Sequence, residues 1–339
     1  MALQVSVIVP CYNERTTITS LLEALRKQTI DADQFEVVVA DGMSTDGTRE
    51  TIQTFAEEHS SFDLHLLDNP SRSIPAALNR AVDGSEGRVI VRMDAHSLPH
   101  TDYVERCLEV LRETDAANVG GVWEIRPLGQ GWLARGIAAA AGHPLGAGDA
   151  RYRIGGKAGE VETVPFGAYL RKWLDQVGPF NEELHTNEDY EYNLRLRNAG
   201  GIIWFDPSIQ STYYARADLP SLFRQYLRYG YWKSQMLRLH PNSIRWRQII
   251  PPLFVTSLLG LIFAGLILPL AWIVLAAVLL IYGAALLAAG TILAVLRRDL
   301  GLLVGIPAAL ATMHFGWGGA FLWGMIRPRV QRRTSSGAS

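Results

Sequence analysis

Cysteine is nearly absent. Only Cys11 and Cys107 occur in 339 residues, too few for a disulfide framework or a zinc cluster, and in keeping with a reducing compartment. Charge is also sparse, at 19%, and unevenly spread. Between 249 and 326 the only formal charges are Arg297, Arg298 and Asp299, and the tail adds Arg327, Arg329, Arg332 and Arg333. The first 248 residues therefore carry a net charge of −6 and the remainder +5, which excludes a basic domain built for nucleic acid. The start, Met1-Ala2-Leu3-Gln4-Val5, lacks a basic and then apolar leader, so no cleaved secretory signal is expected. Neither Gly-x-Gly-x-x-Gly after a strand nor Gly-Lys-Ser/Thr occurs, which argues against hydride transfer and P-loop hydrolysis.

What is present divides at about residue 240. Ile249 to Leu296 holds no charged side chain in 48 residues. A single helix of that length would run about 72 Å, over twice a bilayer core of about 30 Å, so it must turn back. Pro269 is the natural break and predicts helices near 250–268 and 270–296. Soluble helices seldom lack a polar face, so both read as membrane spans. Arg245 and Arg247 before this hairpin and Arg297 and Arg298 after it then share one side, which places the preceding domain in the cytoplasm. The stretch 300–326, with Pro307, His314 and six glycines, is less decisive. A third crossing would export the basic tail, so a re-entrant or interfacial segment competes with a third span.

In the first 125 residues Val5–Val9, Glu36–Ala40, Leu64–Leu67 and Val89–Met93 read as short buried strands, separated by segments with helical apolar spacing such as Ile18, Leu21, Leu22 and Leu25. That alternation predicts an α/β fold with a mostly parallel sheet and helices on both faces. Ligands on such sheets sit beyond the carboxyl ends of the strands. There the sequence places Pro10-Cys11-Tyr12-Asn13-Glu14, then Asp41-Gly42-Met43-Ser44-Thr45-Asp46-Gly47, then Asp94-Ala95-His96. Asp94 and His96 flank one small residue and can lean into the same crevice, where an oxygen and an imidazole suit Mn²⁺ or Mg²⁺ on a diphosphate. Asp41 and Asp46 also fit as turn and helix-capping residues; Asp41, directly at its strand end, is the better ligand candidate.

These segments, with Asn187-Glu188-Asp189-Tyr190-Glu191, resemble family 2 glycosyltransferases of the Rossmann-like GT-A fold, over roughly residues 4–240. The nearest subgroup in character makes succinoglycan-type exopolysaccharide precursors, and Gly146-Ala147-Gly148-Asp149-Ala150-Arg151-Tyr152-Arg153 and the membrane tail are similar to it too. His96 departs from the commoner Asp-x-Asp. The resemblance implies that Pro10, Tyr12, Glu14 and Asp41 hold the nucleoside of a nucleotide-diphosphate sugar, a UDP-sugar first, and that Asp94 and His96 face ribose, diphosphate and a divalent cation. It implies that Asp189, with Glu188 beside it, is the base that deprotonates an acceptor hydroxyl during inversion at the anomeric carbon.

Arg72 is a weaker candidate for the nucleotide. Gln225-Tyr226-Leu227-Arg228-Tyr229 resembles the Gln-x-x-Arg-Trp motif, which makes Arg228 a diphosphate contact and Tyr229 or Trp232 a platform for the acceptor sugar. The same stretch, with Arg224, Lys233 and Arg238 among Tyr226, Tyr231 and Trp232, also reads as an interfacial amphipathic helix, and both readings can hold. Residues 142–159, with six glycines and Arg151, Arg153 and Lys157, read either as a lid that grips an anionic lipid-linked acceptor or as a flexible connector. The expected protein is a catalytic domain over 1–240 and a membrane region over 241–339, transferring a sugar to a polyprenyl-linked saccharide at the inner face of a bacterial-type plasma membrane. Its rivals are a polyprenyl-phosphate sugar synthase and a non-catalytic membrane scaffold with a degenerate nucleotide-sugar fold.

Overall fold

The computed structural model describes residues 4–327, so Arg329, Arg332 and Arg333 of the basic tail lie outside the described residues. Its first half is built on four strands with apolar residues on both faces: β1 (Val5–Cys11), β2 (Phe35–Asp41), β3 (Leu64–Asp68) and β4 (Val89–Arg92). They are connected by α1 (Ile18–Arg26), α2 (Thr48–Glu58) and α3 (Ile74–Asp83), and pair in parallel in the order β3-β2-β1-β4. Val5, Val7 and Val9 enter one core with the apolar stripe of α1, while Ile8 enters the opposite core with Ala77 and Leu78 of α3. Each such buried Val, Leu or Ile contributes about 1.5–3 kcal/mol against the entropy of ordering the chain. β1 runs two residues beyond the expected end at Val9, and β4 stops one residue before Met93.

The second half is mixed. It comprises β5 (Leu98–Pro99), α4 (Tyr103–Thr114), β6 (Asn118–Pro127), α5 (Trp132–Ala141), α6 (Pro144–Ala147), α7 (Arg151–Ile154) and β7 (Gly159–Glu160). It continues through β8 (Ala168–Leu170), α8 (Arg171–Val177), α9 (Glu188–Asn198) and β9 (Ile203–Ala215). β8 inserts antiparallel between β4 and β6, β9 runs parallel to β6, and β5 and β7 lie antiparallel on β9. The parallel core is the one that the alternation predicts. The antiparallel extension rests on strands of two or three residues, too short for a period of two to register in the sequence. The glycine-rich segment 142–159 contains two four-residue helices, α6 and α7.

The chain then forms α10 (Leu219–Leu239), α11 (Trp246–Gly265), α12 (Leu270–Arg297) and α13 (Leu302–Ile326), of which the last three are long and apolar enough to cross a membrane. The hairpin turn falls where Pro269 predicts it, and the indole of Trp272 donates to the Gly265 carbonyl across it at 2.9 Å. α13 differs from the other two. Of its most apolar window 44% is buried inside the protein, against 11% for α11 and 17% for α12, because it lies along α10 and α5 of the preceding α/β part.

Small residues allow that approach: a Cβ at Gly136 of α5 would lie 2.5 Å from the Gly305 Cα of α13, and one at Gly230 of α10 would lie 2.3 Å from the Trp317 carbonyl oxygen. The helix ends are tied to the domain by charge. Arg135 of α5 grips Asp299, between α12 and α13, through two bonds of 2.6 and 3.1 Å, and Arg245 and Arg247 pair with Glu162.

Gly136→Val places branched carbon against backbone that has no room to move. It is expected to cost about 1–3 kcal/mol and to lower the unfolding temperature of the detergent-purified protein. An unchanged unfolding temperature would mean that the α5–α13 seam is not formed in solution.

Candidate active site

The strand order reverses between β1 and β4, and the crevice above that reversal gathers most of the residues expected to bind a donor. On the β1 side, Pro10 is buried within the strand and Tyr12, just past its end, is 44% exposed. The Arg72 guanidinium lies 5.9 Å from the centre of the Tyr12 ring, a cation–π pair that makes a half-open aromatic surface fit for a nucleobase.

Asp41 is at its strand end but is wholly buried and already engaged. It accepts from Ser44 N at 2.9 Å, Ser44 Oγ at 2.5 Å and Arg49 Nη1 at 2.9 Å. In this conformation it shapes the turn and holds Arg49, whose Nη2 reaches Asp68 at 2.7 Å, and it presents no open oxygen to a base. Asp46 takes the capping role, accepting from Thr48 N at 3.1 Å at the start of α2.

On the β4 side, His96 Nδ1 is 3.0 Å from Glu14 Oε1, and Glu14 Oε2 accepts from Thr17 Oγ1 at 2.5 Å. Burial alone would raise the Glu14 carboxyl, but the hydrogen bonds from His96 and Thr17 prevail and hold it below its ordinary range. Glu14 thus acts on the imidazole rather than only on a nucleoside. A carboxylate on Nδ1 fixes the tautomer and leaves Nε2 open, the arrangement that commonly backs a metal-binding histidine. Asp94 spends Oδ1 on Arg92. Its Oδ2 and His96 Nε2 are the oxygen and nitrogen donors that would suit a divalent cation. A second acidic group, Glu36, Asp63 and His65, has ligand atoms within 4.8 Å of one another. It sits near the opposite end of β2 from Asp41, about 17 Å along the strand, and so cannot serve this crevice.

Beyond Asp94 the crevice opens into a cavity of about 610 Å³ that reaches the apolar helices. Asp94, Glu188 and Asp189 line one part of it, and Phe254, Tyr282 and Trp317 of α11, α12 and α13 line another. Glu188 and Asp189 open α9, but they differ. Glu188 is 5% exposed and bonded to Arg92 at 2.9 Å; Asp189 is only half-buried and faces the cavity. Burial pushes the Glu188 carboxyl up while the Arg92 guanidinium pulls it back.

Of the expected acceptor residues, Arg153 and Tyr229 line the cavity, as does Arg228, which is exposed. Arg151 and Trp232 do not. Arg151 donates to the Lys157 carbonyl at 3.2 Å, closing its own loop, and Trp232 stands edge-on behind His185, ring centres 5.1 Å apart. Lys233, expected to reach lipid headgroups, is instead 1% exposed. It donates to the Ser243 carbonyl at 2.9 Å and sits 3.8 Å over the Tyr190 ring, and burial pushes its amine down to about 7.

Sequence reasoning passed over Arg92. The available signal was a charged residue in an apolar strand, two places before Asp94 and so on the same face.

Residues 6–178 match the family described as Glycosyl transferase family 2. The chain belongs to that family. It is 32% identical, over 93% of both chains, to the succinoglycan biosynthesis protein ExoA of Rhizobium meliloti (strain 1021). It is 28% identical to the dolichyl N-acetyl-alpha-D-glucosaminyl phosphate 3-beta-D-2,3-diacetamido-2,3-dideoxy-beta-D-glucuronosyltransferase of Methanococcus voltae, over 78% of this chain and 82% of that one. Among solved structures, the mannosyltransferase PcManGT of Pyrobaculum calidifontis, in complex with GDP-Man and Mn²⁺, superposes with a TM-score of 0.59 at 21% identity, covering 92% of this chain and 87% of that one. The family 2 assignment and this likeness agree on a GT-A fold, and the chain is a glycosyltransferase of polysaccharide biosynthesis.

Glu14→Gln keeps the shape of the side chain but weakens its hold on His96. It is expected to reduce Mn²⁺ affinity about 10- to 100-fold, read by electron paramagnetic resonance titration without substrate. Unchanged affinity would place the cation elsewhere.

Proposed function

We propose that this glycosyltransferase inverts: it moves a hexose from a nucleotide-diphosphate sugar, a UDP-sugar first, to a polyprenyl-linked saccharide in exopolysaccharide or envelope glycan synthesis. The observation that carries the reading is the continuity of one cavity from Asp94 and Asp189 to the apolar helices, which lets a lipid-anchored hydroxyl reach the donor. Tyr12, Arg72 and the turn shaped by Asp41 hold the nucleoside. Asp189 takes the proton of the acceptor hydroxyl as its oxygen attacks the anomeric carbon on the face opposite the diphosphate, whose bond to that carbon breaks. Asp94 and His96 would hold a divalent cation, Mn²⁺ or Mg²⁺, which when bound would supply positive charge to the leaving diphosphate. Arg228 adds a charge-assisted hydrogen bond to the same oxygens, and Tyr229 stacks on the acceptor sugar.

Arg153 supports the anionic character of the acceptor. Its guanidinium faces the rings of Trp123 and Tyr152 at 5.4 and 5.6 Å and donates to Tyr226 OH at 3.3 Å, and its Nε is shut off from solvent without a partner. No carboxylate pairs with it among the described residues. A cation left uncompensated in a cavity calls for an anion, and a lipid-linked phosphate supplies one. The Methanococcus voltae relative is likewise named for a dolichyl phosphate sugar acceptor. The ion pairs that tie the first turn of α11 and the α12–α13 connection to the catalytic domain put both arginine clusters on its side, which fits a cytoplasmic domain on a bacterial-type inner membrane. With α13 held along α10, the two clear spans are α11 and α12, and α13 is an interfacial segment.

The lipid phosphate itself as acceptor is the rival, because the Arg153 site would suit it equally and such a phosphate needs no strong base. Asp189→Asn decides. Loss of transfer by about 10²- to 10⁴-fold, with donor binding kept, is expected for a hydroxyl acceptor, and substantial remaining transfer would favour the phosphate. Arg153→Gln should raise the acceptor KM about tenfold or more and leave the donor KM unchanged, in steady-state assays with lipid acceptor in detergent.

A further inference from the structure

β4 and α9 meet around one side chain. Arg92 and Asp94 lie two residues apart on the face of β4 opposite the one that Val89, Val91 and Met93 present to the α1 core, and the first turn of α9 brings Glu188 to the same face. Arg92 is 5% exposed. Its Nη2 is 3.1 Å from Asp94 Oδ1 and 2.9 Å from Glu188 Oε1, and its Nε is 3.3 Å from Asp94 Oδ1. Nη1 is shut off from solvent and has no partner. Burying a guanidinium here is costly, and two apolar residues would pack the same space without that cost. What an arginine supplies that they cannot is a rigid planar fork binding two carboxylates at once.

We propose that Arg92 is a positioning residue for glycosyl transfer: one guanidinium joins Asp94, on the donor side, to Glu188, on the acceptor side, and so fixes Asp189 relative to the donor. The inference rests on the roles given above to Asp94 and Asp189. Three carboxylates, Asp94, Glu188 and Asp189, stand around the single Arg92 cation, and without it the first two would repel and part. Nothing in the arrangement has Arg92 touch the reacting atoms. It acts through Asp94 and Glu188, and an error of about 1 Å in what they hold can cost about 100-fold in rate.

Arg92→Lys, which keeps the charge but not the fork, and Arg92→Met, which loses both, are compared with Glu188→Gln in the full-length protein in detergent. Thermal unfolding, Mn²⁺ titration by electron paramagnetic resonance, and kcat and KM for donor are measured for each. For Arg92→Lys we expect kcat to fall about 100-fold with the donor KM within about threefold, and Mn²⁺ binding to hold or tighten, because a cation competing for Asp94 has been weakened. Glu188→Gln should lower kcat in the same pattern, and the double variant with Arg92→Lys should be little worse than either alone.

A kcat within twofold of wild type in Arg92→Lys overturns the proposal. So does a joint loss of Mn²⁺ binding, donor binding and kcat in that variant, which would make Arg92 a merely structural residue. If Arg92→Met fails to fold, Arg92→Lys decides, and if that fails too, Glu188→Gln decides by the same split between kcat and KM. Absence of sugar transfer by the wild-type protein would instead defeat the functional reading and is seen separately.

Discussion

Everything about the site follows from where the parallel strands reverse direction of growth. Three strands are laid down to one side, β1, β2 and β3, and the fourth pairs with β1 on the other. Helices α1 and α3 must then cover opposite faces, so the chain ends of β1 and β4 part and leave a crevice that no helix fills. Tyr12, Glu14, Asp94 and His96 stand on that crevice because they are the first residues beyond buried strands, held by backbone that cannot shift without breaking two apolar cores. The site gains this rigidity from strand pairing, which the diphosphate-holding role proposed above requires, while its variable walls come from loops.

The second half of the protein converts that crevice into a passage. β8 lies beside β4 and α9 brings its acidic first turn to the mouth of the crevice, and the aromatic residues of α10 form a wall that continues into α13. The seam between α13, α10 and α5 depends on missing side chains: glycine at 136, 230 and 305 lets backbone meet backbone, which a single methyl group would prevent. Charge closes what packing begins, through Arg135 with Asp299 and Arg247 with Asp149 and Glu162, so the loop carrying Arg153 is tied to the start of the membrane helices. The crevice and the apolar helices are thereby parts of one packed assembly rather than two domains on a linker.

Burial divides residues that look alike in the sequence. Glu188 and Asp189 are neighbours of the same charge, yet one is locked on a guanidinium and the other faces open space, because adjacent residues of the first turn of α9 point to different sides of the helix. Arg151 and Arg153 sit two residues apart, and one serves its own loop while the other lines the cavity with no carboxylate partner among the described residues. Lys233 looks like a headgroup ligand by composition and is instead sealed beneath Tyr190. In each case the chemistry is set by the neighbours that tertiary packing supplies.

Short-range pattern was enough for the α/β core, the apolar hairpin turning at Pro269, and the clusters around Tyr12 and Asp94, since strands with two buried faces and helices without polar faces write their periods directly into the chain, whereas Asp189 was reached through family resemblance. Only the folded structure could separate Asp189 from Glu188, show Asp41 bonded to Ser44 and Arg49, give His96 its carboxylate partner in Glu14, 82 residues away in sequence, and find Arg92 joining Asp94 to Glu188, 94 positions apart. The reason is physical: periodicity reports which face of an element is buried, whereas a hydrogen-bond partner or an unpaired charge depends on which distant elements the sheet brings within 3 Å, and local composition carries no record of that.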